Sequence, residues 1–193
     1  MTSTIKTLIQ ESIDVKQQLL QDANFLQKIE AVVDVITNAF NGGNKVLFCG
    51  NGGSAADAQH LAAEFSGRFY KNRKALPAEA LHCNTSYLTA VANDYSYDVI
   101  YARLVDGIGV KGDILLGFST SGNSVNIIKA FEVAKERGIV TIGLTGATGG
   151  NMKIVSDYLF NVPSTTTPRI QESHILIGHI ICELVEQKVF ANI

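Results

Sequence analysis

Hydrophobic residues follow two kinds of pattern along this chain. From residue 43 onward, short apolar runs alternate with longer segments whose apolar residues recur at helical spacing. The runs predict strands at residues 45–49, 78–81, 113–118, 140–144 and 158–162. The segments predict helices near residues 53–67, 85–108, 123–137, 149–156 and 169–189. Because strands buried on both faces are apolar throughout, the alternation indicates an α/β fold with a parallel sheet covered by helices on both faces.

The first 42 residues have a helical pattern only. Two apolar stripes run through residues 3–40, and they comprise Ile5, Leu8, Ile9 and Ile13, then Leu26, Ile29, Val32, Val33, Ile36 and Phe40. Gly42 and Gly43 follow the second stripe, where glycine is free to take a left-handed cap. We therefore expect one domain over residues 1–193, with an N-terminal helical arm at 1–42 and an α/β core at 43–193. Arms of this kind often pack against another subunit.

Composition and charge exclude several classes of function. The net charge is -2 with no block of like charge, so the electrostatic footprint of a nucleic-acid-binding protein is absent. No apolar stretch approaches the roughly 18–20 residues of a membrane span, and residues 1–14 do not resemble a signal peptide. Cys49, Cys83 and Cys182 fit no metal-binding spacing and are expected to be buried, reduced thiols. These features predict a cytoplasmic protein that binds neither nucleic acid nor membrane.

A hydroxyl-rich segment follows the third predicted strand. It comprises Ser119, Thr120, Ser121, Gly122, Asn123 and Ser124, and a predicted helix continues from it. Ligands of open parallel sheets bind beyond the carboxyl ends of the strands, and a helix N-terminus offers free N–H groups and partial positive charge to a phosphate. Simple helix capping by one of these side chains is the alternative. Four hydroxyls in six residues exceed what a cap needs, so the segment favours binding of a sugar phosphate.

A glycine-rich turn, residues 50–54, follows the first predicted strand. Its glycines permit a tight turn, and Asn51 and Ser54 can meet sugar hydroxyls. The turn matches neither the Rossmann GxGxxG pattern nor a Walker P-loop. Nucleotide binding is therefore disfavoured.

Several ionisable and amide side chains share helix faces. His60 and Glu64 are four residues apart on one predicted helix, and Gln171 and His179 lie on one side of the last helix. Spacing alone favours a surface pair for His60 and Glu64, and it favours a core residue for a histidine in the apolar last helix. The residues by themselves leave the chemistry of these side chains open.

Four motifs, taken in order, resemble those of the phosphoheptose isomerases of the sugar isomerase (SIS) domain superfamily. They are residues 49–60, residues 93–94, residues 119–124, and residues 169–172 followed by His179. The resemblance covers the chain from about residue 5 to about residue 189, with the motifs at matching separations. It implies a three-layer SIS fold with a five-stranded parallel sheet. It also implies a homotetramer with active sites at subunit interfaces.

The resemblance further implies an activity and its residues. The family converts D-sedoheptulose 7-phosphate to D-glycero-D-manno-heptose 7-phosphate, for bacterial surface heptose in lipopolysaccharide core, capsule or S-layer glycans. The implied zinc ligands are His60, Glu64, Gln171 and His179, of which Glu64 and His179 are the implied base and acid of an enediol mechanism. The implied substrate-binding residues are Asn51, Gly52, Gly53, Glu64, Asn93, Asp94, Ser119, Thr120, Ser121, Ser124 and Gln171.

Two departures and two alternatives accompany this interpretation. Glu79 is charged, which is unusual in a buried strand, and segment 78–83 is one residue longer than in some members of the family. Pro168 stands where some members have an acidic residue, so Asp57 or Asp94 would have to supply any contact made by that acid. The alternatives are a non-catalytic SIS protein that associates with the replication initiator, and a SIS isomerase for another sugar phosphate. Glu64 and His179 favour an enzyme, since the initiator-associating relatives lack both.

Overall fold

Five parallel strands form the centre of the molecule. The computed structural model describes residues 1–191, and its strands are β1 (Val46–Gly50), β2 (Ala78–Ala80), β3 (Ile114–Ser119), β4 (Val140–Thr145) and β5 (Tyr158–Asn161). Their order in the sheet is β2-β1-β3-β4-β5, and every neighbouring pair is parallel. All the predicted strands are thereby confirmed, with each boundary shifted by no more than one residue.

Eight α-helices surround the sheet within residues 1–191. They are α1 (Thr2–Gln21), α2 (Ala23–Asn41), α3 (Gly53–Ser66), α4 (Thr85–Asp94), α5 (Ile100–Ile108), α6 (Val125–Glu136), α7 (Met152–Val155) and α8 (Thr167–Val189). The helical prediction at residues 85–108 is interrupted by an extended Ser96, whose hydroxyl accepts a hydrogen bond from Asp98 N at the start of a short 3-10 turn. None of these helices is long and apolar enough to cross a membrane.

The layers on the two faces of the sheet use alternate strand residues. Val46 and Phe48 of β1 belong to the core shared with α1, α2, α3 and α8, whereas Leu47 and Cys49 belong to the core shared with α4, α5, α6 and α7. This alternation is the two-residue period of a strand. It produces the predicted three-layer fold.

The two N-terminal helices expose very different apolar stripes. Asp22 ends α1 and caps α2, because its carboxylate accepts hydrogen bonds from Asn24 N and Phe25 N at 3.0 and 3.1 Å. The stripe of α2 is buried from Ile29 onward. The stripe of α1 instead faces solvent in the single chain, and Ile9 is 56% exposed. An unpartnered apolar face of this extent is characteristic of a contact surface.

The position of β2 at the edge of the sheet explains the environments of Glu79 and Cys83. Glu79 lies on the edge strand β2 opposite Leu47, and its side chain is exposed, so the strand accommodates it without burying a charge. The three cysteines are free, as expected, and Cys49 and Cys182 are buried. The prediction of burial was wrong for Cys83, which is exposed because it lies in the turn after this short edge strand.

A buried carboxylate joins the amino-terminal ends of β1 and β3. Asp113 is fully buried and accepts hydrogen bonds from Lys45 N, Lys45 Nζ and Val110 N at 3.0, 2.6 and 2.9 Å. Asn44 Nδ2 donates a fourth, at 3.2 Å. Burial by itself raises the pKa of Asp113, but the hydrogen bonds from Lys45, Val110 and Asn44 outweigh it and the pKa is lowered.

We expect Asp113 to make stability depend on acidic pH. A lowered folded pKa means that its contribution is present above the unfolded pKa of about 3.9 and is lost as the pH falls through the folded value. Asp113→Asn should therefore lose about 1–3 kcal/mol of unfolding free energy at pH 7 and less at pH 3. Urea unfolding at both pH values measures this. An equal loss at pH 3 and pH 7 would contradict the assignment.

Candidate active site

The loops that follow β1, β3, β4 and β5 meet at one edge of the sheet. Parallel strands place all their carboxyl ends on the same side, so residues distant in the sequence become neighbours there. α3 and α6 begin directly after the loops that follow β1 and β3, and α8 begins after the loop that follows β5. This edge contains most of the residues that the sequence analysis selected.

The serine loop after β3 brings its hydroxyls together. Ser119 Oγ lies 2.8 Å from Ser124 Oγ and 3.5 Å from Ser121 Oγ. Ser124 is the N-cap residue of α6, yet its side chain makes no capping hydrogen bond to any described residue. Its hydroxyl therefore faces Ser119 instead of capping the helix. Clustered hydroxyls beside a helix N-terminus suit an anion, which supports the phosphate interpretation over simple capping.

The serine loop packs against the loop that follows β4, which the sequence analysis did not select. Gly122 has a φ of +68°, and a Cβ atom there would lie 2.2 Å from the carbonyl oxygen of Gly149. Met152 N donates to Gly122 O at 2.9 Å, and Asn151 N donates to Asn123 Oδ1 at 3.0 Å. Glycine is thus required at position 122 by both the backbone conformation and the close approach of the two loops.

A cleft of about 280 Å³, lined mainly by residues with hydroxyl or amide side chains, opens beside the serine loop. Its lining residues are Thr120, Ser121, Asn123, Gly146, Ala147, Thr148, Ser164, Thr165, Thr167 and Ile170. None of these is acidic, so no described lining side chain repels an anion. The threonine-rich segment 163–168 contributes to the cleft because β5, which precedes it, pairs with β4.

Asn51 is held in place by two residues that the sequence analysis did not select. Asn51 and Asn126 exchange two hydrogen bonds, each of 2.9 Å. The Tyr97 hydroxyl donates to Asn51 Oδ1 at 3.1 Å, and the Tyr101 hydroxyl donates to Gly50 O at 2.5 Å. The asparagine pair links the turn after β1 to the first turn of α6, and the two tyrosines link the end of β1 and this turn to residues 97–101. In the sequence, the only indication that Asn126 belongs to the site is its position two residues after the serine loop.

Other predicted substrate-binding residues lie at separate places in the single chain. Asn93 Nδ2 donates to Asp94 Oδ1 at 2.9 Å at the end of α4, and both side chains are exposed. Gly52 and Gly53 begin α3 and are exposed at the edge of the sheet. The substrate contacts of these residues stay predictions.

Three potential ligand side chains converge between α3 and α8. His60 Nε2 lies 3.0 Å from His179 Nε2 and 3.1 Å from Glu64 Oε1, and all three ligand atoms lie within 4.8 Å of one another. Gly178 permits this, because a Cβ atom there would lie 2.2 Å from Leu61 Cδ1 of the facing helix. The close helix contact turns two separate sequence positions into one cluster. Histidine at 60 and 179 is neither a simple surface residue nor a core residue.

The spacing of this cluster fits a metal ion. Zinc binds histidine nitrogen at about 2.0–2.1 Å, so ligand atoms of a tetrahedral site lie about 3.3 Å apart. The two measured spacings, 3.0 and 3.1 Å, are close to this value. Two imidazole nitrogens and a carboxylate oxygen also form a donor set that zinc prefers.

Gln171 contacts the other end of α3. A Cβ atom on Gly53 would lie 2.7 Å from Gln171 Nε2, so the amide covers the first turn of the helix. Gly53 and His60 are seven residues apart. At 1.5 Å per residue this is about 10 Å along the helix axis. The ligand role of Gln171 stays a prediction.

Electrostatics distinguish the two histidines of α8. Burial lowers the pKa of His179, the neighbouring His60 lowers it further, and Glu64 opposes both effects. His174 is fully buried, and burial lowers its pKa to about 4 although its Nε2 lies 3.2 Å from Thr145 O. His174 is therefore a neutral core residue.

Comparisons with known proteins agree with this architecture. The family model described as "SIS domain" matches residues 10–146. "Phosphoheptose isomerase" of Aneurinibacillus thermoaerophilus is 55% identical over 192 residues, which cover 100% of this chain and 97% of that protein. "Phosphoheptose isomerase 2" of Campylobacter jejuni is 53% identical over 192 residues, covering 100% and 96%.

Solved structures show the same similarity in three dimensions. A phosphoheptose isomerase from Neisseria gonorrhoeae is 40% identical with a TM-score of 0.90, and the match covers 96% of this chain and 98% of that one. One from Francisella tularensis is 34% identical with a TM-score of 0.92 and the same coverage. Given full-length similarity in sequence and structure, this chain belongs to the phosphoheptose isomerase family of SIS domain proteins.

Proposed function

We propose that this protein is an aldose–ketose isomerase that converts D-sedoheptulose 7-phosphate to D-glycero-D-manno-heptose 7-phosphate. The observation that carries the proposal is the convergence of His60, Glu64 and His179 in a member of this family. A proton-transferring group is what an isomerase needs and a binding protein does not. The cleft beside the serine loop supplies a place for the phosphate.

The reaction moves a carbonyl from C2 to C1 through an enediol. A base takes a proton from C1 and, once protonated, delivers one to C2, while O2 gains a proton from the acid and O1 returns one to it. We assign Glu64 as the base and His179 as the partner acid. With its lowered pKa, His179 is neutral near pH 7, and a neutral imidazole can donate its N–H to an oxygen that develops charge. Atoms and protons balance without an added reactant.

An assay of the purified protein on a panel of ketose phosphates tests the substrate. We expect turnover of sedoheptulose 7-phosphate, with much lower activity on hexulose and pentulose phosphates. Nuclear magnetic resonance identifies the product as the aldose. Activity on another ketose phosphate, without activity on sedoheptulose 7-phosphate, would overturn the named substrate.

We also propose that the cluster holds one zinc ion. The spacing and chemistry of His60, Glu64 and His179 support this. Gln171, the fourth ligand that the resemblance implies, contacts Gly53 at the other end of α3 in the single chain, so it would have to come from a neighbouring subunit. When bound, zinc would polarise a carbonyl or enediol oxygen. A carboxylate has two oxygens and an imidazole two nitrogens, so one atom of Glu64 or His179 can face the cluster while the second handles a proton.

His60→Ala should lower zinc affinity at least about tenfold, because it removes one of the three converging ligand atoms. Calorimetric titration of the metal-free protein with Zn²⁺ measures this affinity. His82→Ala is the matched control, since His82 lies outside the cluster at the end of β2. Equal zinc affinity of both variants and the native protein would contradict the assignment of the ligands.

We further propose that the chain forms a homotetramer that covers the cluster. The exposed stripe of α1 supports an interface, as does the apolar groove lined in part by Leu20, Leu26 and Leu176. The His60 side chain is 51% exposed, which leaves room for a neighbouring subunit. Light scattering should give four times the chain mass, and Ile9→Glu should reduce it. A monomeric native protein would contradict this proposal.

The biological use of the product stays a prediction of the family resemblance. We propose that the enzyme acts in the cytoplasm and that its product becomes heptose of lipopolysaccharide core, capsule or S-layer glycan, as the resemblance implies. Sugar analysis of surface glycans from a strain lacking the protein would test it, and unchanged heptose would contradict it.

A further inference from the structure

The segment between α3 and β2 crosses beside the His60–Glu64–His179 cluster. We call residues 67–75 the strap. Phe69 of the strap packs its ring against His179, with ring centroids 5.9 Å apart and an interplanar angle of 39°. Tyr70 packs edge-on against Phe69, with centroids 4.6 Å apart. The strap therefore covers one side of the His179 imidazole, which acts as the acid in the proposed mechanism.

A buried carboxylate makes several of the hydrogen bonds that hold the strap in this position. Glu186 is only 2% exposed and lies two helical turns after His179 on α8. It accepts hydrogen bonds from the backbone N–H groups of Phe69, Tyr70 and Lys71 at 3.1, 2.8 and 2.9 Å. Burial raises the pKa of Glu186, but these bonds and the one from Arg73 outweigh it and lower the pKa. The carboxylate is thus fixed in its charged form.

Arg73 connects the same carboxylate to the end of α3. Its Nε donates to Glu186 Oε1 at 2.7 Å, and its side chain has no solvent exposure. Its guanidinium donates to the carbonyl oxygens of Glu64 and Phe65 at 2.8 and 2.7 Å. These carbonyls lie in the last turn of α3, where helix oxygens lack helical partners. Glu64, the proposed base, is therefore anchored through its own main chain.

A buried ion pair is a poor choice for stability alone. Taking two charges out of water is costly, and well-packed apolar residues of similar volume often stabilise a fold equally well. What a charged pair adds is directional hydrogen bonding to a defined set of groups. Here those groups are the backbone of Phe69 and the carbonyl of Glu64, which flank the two proposed catalytic side chains.

We propose that Glu186 and Arg73 are positioning residues for the isomerase centre. Together they hold Phe69 against His179 and hold the last turn of α3, so that His179 and Glu64 keep the mutual geometry that proton transfer requires. The catalytic part of this inference depends on the proposed function. The positioning part concerns only this chain and can be observed without turnover.

Three variants separate positioning from a merely structural role. Glu186→Gln keeps the shape of the side chain and removes its charge, whereas Phe69→Leu removes the ring and keeps the backbone bonds to Glu186. Asp113→Asn is the matched control, because Asp113 is also a buried carboxylate with a lowered pKa and a lysine partner. It lies at the opposite end of the strands from the site.

Two measurements are made on each folded variant of the full chain. Glu186→Gln and Phe69→Leu should lower kcat by about 10–100-fold with KM changed less than about twofold, as expected for groups that orient a catalytic shell. The imidazole carbon-bound proton signals of His179 should shift in both variants, because the ring current of Phe69 changes. Asp113→Asn should change neither quantity at temperatures where it is folded.

The outcomes are distinguishable. Native kcat and unshifted His179 signals in Glu186→Gln would overturn the positioning inference and leave the proposed function intact. If Glu186→Gln does not fold, kcat of Phe69→Leu decides, because loss of the ring shifts the His179 signals in any case. Native kcat in Phe69→Leu would overturn the inference. A native protein inactive on sedoheptulose 7-phosphate would overturn the proposed function, and the His179 signals would still test the positioning.

Discussion

Glu64→Gln is expected to lower kcat by about 10²–10⁴-fold, the usual contribution of a general base. The amide has the shape of the carboxylate but cannot accept a proton from carbon. Glutamine also keeps a carbonyl oxygen that can face His60, where the Glu64 oxygen lies 3.1 Å from Nε2. Sedoheptulose 7-phosphate should therefore still bind. Steady-state kinetics gives kcat, and calorimetric titration of the variant gives the substrate Kd.

Glu132→Gln is the matched control for this result. Glu132 is an exposed residue of α6, and the substitution makes the same chemical change away from the cluster. It should leave kcat unchanged. Zinc content of the Glu64 variant must be measured alongside, because loss of metal would lower kcat for a different reason. Near-normal turnover by Glu64→Gln would remove Glu64 from the mechanism.

Arg73→Ala is expected to have the largest effect on stability, about 3–5 kcal/mol. The substitution leaves the carboxylate of Glu186 buried without its cationic partner, and it removes the donors to the carbonyls of Glu64 and Phe65. Both effects act on the folded state, since the unfolded chain exposes the same groups to water. Urea unfolding at pH 7, followed by circular dichroism, measures the loss.

Arg137→Ala provides the comparison. Arg137 forms an ion pair with Asp106 at 2.9 Å, but the two side chains are 37% and 69% exposed. Exposed pairs contribute about 0–1 kcal/mol, so this variant should lose far less stability than Arg73→Ala. Similar losses in the two variants would show that burial of the Arg73–Glu186 pair has little energetic consequence.

Local patterns were sufficient for the secondary structure and for selecting the serine loop as a candidate phosphate site. Strand and helix periodicities depend on residues a few positions apart, and all the predicted strands were confirmed. The serine loop was also recognisable, because its hydroxyl residues are consecutive and the following helix supplies the remaining chemistry. The exceptions were the division of residues 85–108 by Ser96 and the exposure of Cys83, which depend on chain reversals at the edge of the core.

Spacing alone could not interpret the ionisable residues. His60 and Glu64 are neighbours on α3, but His179 lies 119 residues from His60 along the chain. Their meeting depends on how closely α3 and α8 pack, and that is set by the contact between Gly178 and Leu61. The family resemblance assigned His60, Glu64 and His179 to one site, which periodicity could not do.

The sequence by itself determined an α/β sheet and the identity of the side chains available for chemistry, including the hydroxyls of the serine loop. Only the tertiary structure decided which of those side chains meet, and it added partners that no motif indicated. Asn126 holds Asn51, and Glu186 holds the strap, across separations of 75 and more than 110 residues. Periodicity is a property of neighbouring positions, whereas these contacts follow from the packing of whole helices and loops against the sheet.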